Sequence, residues 1–303
     1  MVKKKQWWKW LLVIVVVITV VITSFLYHQY RKFEQNFTNT QIEYKSKARK
    51  KSDDKLIENK RPISLLLLGI DERQNDSGRS DSIVVATLNP TKENAKLISI
   101  PRDTYVAIAG MEMSDKINHA YAFKGINGAT ETVEQLLNIP IDYVMTMNME
   151  GLVDLVDLTG GITIDSPFAF KANLHTFNKG KNHLNGEAAL AYARMRKNDP
   201  NGDFGRQERQ KQVIAQLANN IKSFNTLAKL DEMMIILGSN IKTNIEMKEL
   251  NRLRTDYLMP MQTYDNLQFN KGQGTTKNGI YYFELNTQEL EQISATLQKH
   301  LAL

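Results

Sequence analysis

The sequence predicts an α/β fold: a three-layer α-β-α sandwich with a central mixed sheet, preceded by a single transmembrane helix. Three observations lead there. Short runs rich in Ile, Val and Leu, bounded by turn residues, alternate with longer segments whose apolar residues recur at helical spacing. The first strand-like runs follow one another too closely for helical crossovers, so part of the sheet is expected to be antiparallel. An uncharged run of Val and Ile lies ahead of both patterns, near the N-terminus.

That first run, Leu11 to Leu26, carries no charge, and Trp7, Trp8 and Trp10 precede it as an interfacial belt. With those tryptophans and Tyr27 it reaches the ~20 residues a spanning helix needs. Lys3, Lys4, Lys5 and Lys9 lie before it and Arg31 and Lys32 soon after, a bias that sets the N-terminus in the cytoplasm and exports the rest. The basic run Lys45 to Lys51 pulls the other way. No small-x-small cleavage site follows the apolar core, which favours an anchor over a cleaved signal peptide. The expected layout is a cytoplasmic tail (1–10), an anchor (11–30), an extracellular stalk (31–60) and one domain (61–303), at the cell membrane.

Charge supports that layout. Of the formal net charge of +6, residues 1–60 hold +8 and the remainder −2. The basic excess belongs to the membrane-proximal segment, which disfavours a nucleic-acid-binding core. With no cysteine, disulfides, thiol catalysis and zinc-thiolate sites are excluded.

Within the domain, strands are expected at Ile63–Ile70, Ser82–Asn89, Ala95–Ile100, Asp142–Asn148 and Gly161–Asp165, with later ones at Leu267–Asn270 and Ile280–Leu285. Helices are expected at Gly128–Leu137, Glu150–Leu158, Gly186–Arg196, Phe204–Ser223, Leu227–Leu237, Met247–Leu258 and Thr287–His300. No internal repeat is evident.

Charged residues gather where the first apolar runs end. Asp71 closes the first run, and Asp81 precedes the second, across the loop Asn75-Asp76-Ser77-Gly78. Each is equally at home as a turn or cap residue. Together, with substrate oxygens and water, two carboxylates suit magnesium, or manganese in its place. Arg79 and Arg102 flank them, and arginines clamp phosphate oxygens bidentately. Pro101 ends a strand and projects Arg102; beside it, Asp103 either orients Arg102 through a salt bridge, the favoured reading, or serves as a base. Arg194 and Arg196 lie near a helix C-terminus, where cations are at home on electrostatic grounds alone. Arg206 falls in a first helical turn, where a cation is disfavoured, and shares a face with Gln210; that pair points to anion binding. His119, His175 and His183 have no metal-ligand spacing and read as ordinary surface or turn residues. Nucleophile-elbow, Walker and zinc-protease motifs are absent from the sequence.

The segments LLLGIDER, GRSDSIVVATLNP, LISIPRDTYV, KINHAYAFKG, DLTGGITID, HLNGEAALAYARMR and GDFGRQERQ occur in this order, and in them the chain resembles the LytR-CpsA-Psr family of cell-envelope glycopolymer ligases. The subgroup attaching wall teichoic acid is the more similar one. The resemblance implies a membrane-anchored phosphotransferase of a Gram-positive-type bacterium. It would move an anionic glycopolymer from a polyprenyl pyrophosphate to peptidoglycan and release polyprenyl phosphate. Asp71 and Asp81 would hold magnesium. Arg79, Arg102, Arg194, Arg196, Arg206 and Gln210 would contact the diphosphate, with Arg102 nearest the chemistry, and an apolar cavity would take the prenyl tail. The base is Asp103, Asp81 or none. Two other readings remain: a membrane-tethered regulator of envelope genes, for which only about ten residues precede the anchor, and a polyprenyl-pyrophosphate carrier or pyrophosphatase.

Overall fold

In the computed structural model the domain's opening leucine run becomes the centre of a six-stranded sheet. The structure describes residues 40–49, 55–71, 78–196, 199–223, 238–257 and 264–303, with single positions at 31, 38 and 236. Strands β1 (Ile63–Asp71), β2 (Arg79–Asn89) and β3 (Asn94–Ser99) form an antiparallel meander. Strand β6 (Tyr143–Asn148) lies parallel beside β1; strand β11 (Ile241–Thr243) pairs antiparallel with β6, and strand β12 (Tyr264–Leu267) pairs parallel with β3. The order is β11-β6-β1-β2-β3-β12, a mixed sheet as the sequence predicts.

Both faces of this sheet are covered, and the strands' alternation decides what covers them. Leu66, Leu68, Ile70, Ile83, Val85 and Ile98 point to one side. There they meet helix α1 (His119–Leu137) through Ala129, Val133 and Leu137, and the C-terminal helix, Thr287–Leu301, through Ile293, Leu297 and Leu301. Ile63, Val84, Ala86, Leu88 and Leu97 point to the other, against Ile245, Leu253 and Tyr257 and against Ile214 and Ala218 of the long helix Gly202–Ser223. The result is helix, sheet and helix in three layers.

Between α1 and the C-terminal helix the elements are α2 (Met149–Leu158), α3 (Gly186–Arg194), α4 (Gly202–Ser223) and α5 (Met247–Arg252), with a π-helical turn at Leu253–Tyr257; the C-terminal helix is α6. Asn148, Asn185 and Asn286 cap α2, α3 and α6, each side chain accepting a backbone N–H of the first turn. A satellite core joins α2, α3 and α4 to the antiparallel pair β7 (Ile162–Ser166) and β10 (Gly180–Leu184), through Tyr192 and through Phe170 and Phe177 of the hairpin β8 (Phe170–Ala172) and β9 (His175–Phe177).

Several boundaries differ from expectation. Strand β2 begins at Arg79 rather than Ser82, so Arg79 and Asp81 are strand residues and not loop caps. Helix α1 starts nine residues before Gly128; Lys124 and Gly125 (φ 61°) interrupt it and hide its first turns from a periodicity reading. Helix α3 stops at Arg194 because the guanidinium of Arg209, from α4, takes the carbonyls of Tyr192 (2.9 Å) and Met195. The strand expected at Leu267–Asn270 is Tyr264–Leu267. The backbone N–H groups of Asn270 and Lys271 donate instead to the Glu289 carboxylate, at 2.9 and 3.0 Å, which draws that stretch out of the ladder. Helix Met247–Leu258 divides into α5 and the π turn, and its last residue lies outside the described residues. The helix expected at Leu227–Leu237 also lies outside them, apart from helical Ile236.

The anchor expected at 11–30 and the tail before it lie outside the described residues; among those described, no helix is long and apolar enough to cross a membrane. Residues 40–49 and 55–60, expected as stalk, pack on the domain. Ile42 donates its backbone N–H to Thr243 at 3.0 Å, and Ile57 is fully buried. Arg49 forms a bidentate pair with Asp142, at 2.7 and 2.8 Å, with both side chains buried.

One buried histidine ties the fold to pH. His300 of α6 is 2% exposed and hydrogen-bonds Thr87 and Asn94, each at 2.7 Å. Burial, with help from Lys96 and Lys92, pushes its pKa down from 6.5 to about 4. The neutral ring is therefore the folded form, and unfolding takes up a proton between those values. Its stabilisation is in full force above pH 6.5 and is lost as pH falls towards 4, by at most about 3 kcal/mol. Urea unfolding across that window is expected to show the loss in wild type and a flatter profile in His300→Gln.

Candidate active site

The β1–β2 pairing holds the first acidic group in place. Asp71 and Arg79 are cross-strand partners at the loop end of the hairpin. Two residues further in, the register slips: Gly69 pairs with Ser82 and Ile70 with Ser80, leaving Asp81 as the extra residue of a β-bulge. A bulge re-aims the side chain it carries, and Asp81 lines the same cleft as Asp71. Gly69 makes the bulge possible, since a Cβ there would come within 2.9 Å of the Ser82 Cβ. Ser82 in turn donates its hydroxyl to Gln210 Oε1 of α4 at 3.0 Å, which fixes the Gln210 side chain against the strand.

Strand β3 delivers the next group. After Ser99 the chain turns at Pro101-Arg102-Asp103, where Thr104 donates its hydroxyl to the Pro101 carbonyl at 2.6 Å. Arg102 reaches across to Asp81 (Nη1–Oδ1 2.9 Å), and its Nε lies 3.8 Å from Asp103 Oδ2. Asp103 accepts from Lys116 Nζ at 2.7 Å. Lys116 belongs to β5 (Ser114–Lys116), which pairs with β4 (Tyr105–Ala107). The turn is braced from behind by the hairpin of β13 (Gln273–Lys277) and β14 (Ile280–Glu284), where the Phe283 N–H donates to the Asp103 carbonyl at 2.8 Å.

These segments enclose an open cleft of about 440 Å³, lined by Asp71, Arg79, Asp81, Arg102, Asp103, Lys116, Asn118 and His119. Arg194 stands at its edge, 3.9 Å from Asp71, and also lines a neighbouring hollow of about 400 Å³ with Glu187 and Met195. Arg206 is buried, bound to Asp203 at 2.8 Å, and half-exposed Arg196 approaches the same carboxylate at 3.6 Å. Helix α4 starts two residues earlier than expected, so Arg206 sits one turn in rather than in the first turn.

The electrostatics separate the two central arginines. Burial works against the charge of Arg102, but Asp81, by charge and hydrogen bond, and Asp103 and Asp203 more than compensate and hold its pKa above the ordinary value. Burial dominates at Arg206 and pulls its pKa below the ordinary value; Asp203 opposes this, while Arg102 and Arg196 reinforce it. A buried cation repelled by two others is stabilised by an incoming anion. The Nε–H groups of Arg102 and Arg206 are buried without a hydrogen-bond acceptor among the described residues. Such orphaned donors call for ligand oxygens.

The structure thus gathers the expected residues, with Arg194 and Arg196 at the periphery and Gln210 turned to Ser82. Sequence reasoning missed Lys116, Asn118, Asp115 and Asp203. It also set His119 aside, whereas the ring lines the cleft and bonds Asp115, four residues back, at 2.8 Å. The signal was present in KINHAYAFKG, but β5 and the early start of α1 were needed to read it. Arg209, also missed, pairs with buried Asp199 and organises the chain that carries Arg194 and Arg196.

Comparison with known proteins finds matches along most of the chain. Residues 27–299 match the LytR_cpsA_psr family. The chain is 41% identical over 278 residues to the polyisoprenyl-teichoic acid–peptidoglycan teichoic acid transferase TagU of Bacillus licheniformis, covering 92% of this chain and 90% of that one. It is 42% identical over 255 residues to the Bacillus subtilis protein of the same name, covering 84% and 83%. Among solved structures, TagT bound to LIIa-WTA superposes with a TM-score of 0.72 at 32% identity, covering 86% of this chain and 97% of that one. A structure described as a transcriptional regulator of Enterococcus faecalis superposes with a TM-score of 0.74 at 37% identity, covering 82% and 90%.

Proposed function

The chain belongs to the LytR-CpsA-Psr family, and on that footing we propose that it is a membrane-anchored phosphotransferase acting outside the cell. Its donor is an anionic glycopolymer, wall teichoic acid in this reading, carried on polyprenyl pyrophosphate. Its acceptor is peptidoglycan, and polyprenyl phosphate leaves. The single observation that carries this reading is the cleft in which Arg102 holds a buried, unsatisfied N–H donor beside two carboxylates, backed by buried Arg206, which feels the charge of Arg102 and Asp81 and has an unsatisfied Nε–H of its own. Transfer from a diphosphate needs charge neutralisation and positioning more than a nucleophile from the protein. The names and bound ligands of the relatives support the same substrate class. The regulator reading, which one structural relative's description favours, gives no role to that donor set.

Asp71 and Asp81 fit magnesium in type and number. Both residues line one cleft, and a hard cation that retains substrate oxygens and water needs only one or two carboxylates. Bound there, magnesium would supply positive charge to the diphosphate oxygens. Arg102 would meet the phosphate that reacts, while Arg206 and Arg79, with Arg194 and Arg196 outside them, would fix its neighbour. Gln210, held by Ser82, would keep α4 in register with β2.

The test is transfer of a lipid-linked saccharide to a peptidoglycan oligomer by the full-length protein, titrated with magnesium. Wild type is expected to transfer only with the metal. Asp71→Ala and Asp81→Ala are each expected to lower turnover at every magnesium concentration while the domain stays folded by circular dichroism. Wild-type activity and metal response in either variant would reduce that residue to a turn or bulge role.

A further inference from the structure

The acceptor hydroxyl must lose a proton, and the two carboxylates considered from sequence are poorly placed to take it. Asp81 is bound by Arg102 at 2.9 Å and Asp103 by Lys116 at 2.7 Å. A carboxylate so paired has a lone pair engaged by its cation. His119 lines the same cleft and is held differently. Its Nδ1 lies 2.8 Å from Asp115 Oδ2. The other oxygen of Asp115 receives the Tyr282 hydroxyl at 3.2 Å and the Lys116 backbone N–H at 2.8 Å, so the carboxylate itself is fixed. Phe123 packs edge-on against the ring, with centroids 5.9 Å apart. An imidazole that gives Nδ1–H to an oriented carboxylate keeps its lone pair on Nε2. Among the described residues Nε2 makes no hydrogen bond.

The neighbouring residue supplies a second, independent observation. Asn118 is 4% exposed and lines the cleft, and its Oδ1 is buried without a hydrogen-bond partner among the described residues. The orphaned groups at Arg102 and Arg206 are donors, which diphosphate oxygens satisfy. Asn118 Oδ1 is an acceptor, which no fully ionised phosphate oxygen can satisfy and a hydroxyl can. The cleft therefore has a donor-lined part for the diphosphate and an acceptor pair, Asn118 Oδ1 and His119 Nε2, of opposite chemistry.

We propose that His119 is the general base of the transfer and that Asn118 and His119 together seat the incoming sugar hydroxyl; the assignment rests on the phosphotransferase reading above. The hydroxyl oxygen forms a bond to the phosphorus that carries the glycan. The bond from that phosphorus to the bridging oxygen breaks, and its electron pair leaves with polyprenyl phosphate. The hydroxyl proton passes to His119 Nε2, and Asp115 stabilises the imidazolium until solvent removes the proton.

The experiment uses the full-length protein in detergent, a lipid-linked saccharide pyrophosphate and a peptidoglycan oligomer, with lipid affinity measured separately. His119→Ala is expected to transfer roughly 10²- to 10⁴-fold more slowly with lipid affinity little changed, and added imidazole to restore about tenfold or more. His119→Gln, which retains a hydrogen-bonding side chain, should lose as much turnover, and Asn118→Ala should raise KM for the oligomer alone. A wild-type protein that transfers nothing refutes the phosphotransferase reading itself. If wild type transfers but His119→Ala matches it, loses lipid affinity in parallel, or ignores imidazole, the base assignment alone is overturned.

Discussion

Replacing Arg102 by alanine is expected to lower turnover by roughly 10²-fold or more, about 2.7 kcal/mol of transition-state stabilisation, with a smaller effect on lipid affinity. Pro101 ends the strand, the Thr104 hydroxyl locks the turn, and Asp81 holds the guanidinium at 2.9 Å. A charge so fixed requires no reorganisation as the oxygens of the reacting phosphate redistribute their charge in the transition state. Its unsatisfied Nε–H leaves one donor in reserve for that moment. Arg102→Lys should restore little, because a point charge cannot reproduce the planar fork that holds Asp81 and substrate together. Arg206→Ala should behave differently. That cation is already strained by burial and by Arg102 and Arg196. Its removal should chiefly weaken lipid binding and cost the unliganded fold little. Separate measurement of binding and single-turnover rate distinguishes the two; equal effects on both steps from both variants would contradict the division of labour.

The second large effect concerns the fold. Asp142→Ala is expected to destabilise the domain by about 3–5 kcal/mol, because it strips a buried guanidinium of its counter-ion. Asp142 accepts from Arg49 at 2.7 and 2.8 Å and from the Ser64 backbone and hydroxyl, both at 2.9 Å. It thereby joins the segment before the domain to β1 at the start of its pairing with β6. Urea unfolding should show the loss, and Arg49→Ala should cost a comparable amount. Pairing Arg49→Met with Asp142→Leu should recover much of it, since two apolar groups bury no unpaired charge. A change below about 1 kcal/mol in Asp142→Ala would make the contact a surface-type ion pair.

The sheet was legible because its signal is periodic. Leu65 to Ile70 alternate between two cores, and both cores recur in β2 and β3. Helices α2, α3 and α6 were likewise visible, each beginning at a capping asparagine. What escaped was set by single long-range contacts. The end of α3 depends on Arg209, the shift of β12 on Glu289, and the packing of residues 40–49 on Thr243 and Asp142. None of these leaves a trace in local propensity. The candidate site divides in the same way. Residues at strand ends, Asp71, Arg79, Asp81 and Arg102, announce themselves as charges after apolar runs. Those entering from the three-residue strand β5 and from the head of the interrupted helix α1, Lys116, Asn118 and His119, do not. The bulge at Asp81 depends on Gly69 in the neighbouring strand, and only register reveals it.

The most direct measurement follows a label in the two phosphates of a lipid-linked saccharide pyrophosphate, incubated with the full-length protein, magnesium and a peptidoglycan oligomer. The expected result is that the glycan and the phosphate attached to it appear covalently on the oligomer, one for one with polyprenyl monophosphate. Free glycan phosphate, with the oligomer unlabelled, would make the protein a pyrophosphatase. Unaltered lipid in the presence of folded protein, metal and acceptor would contradict phosphotransfer outright.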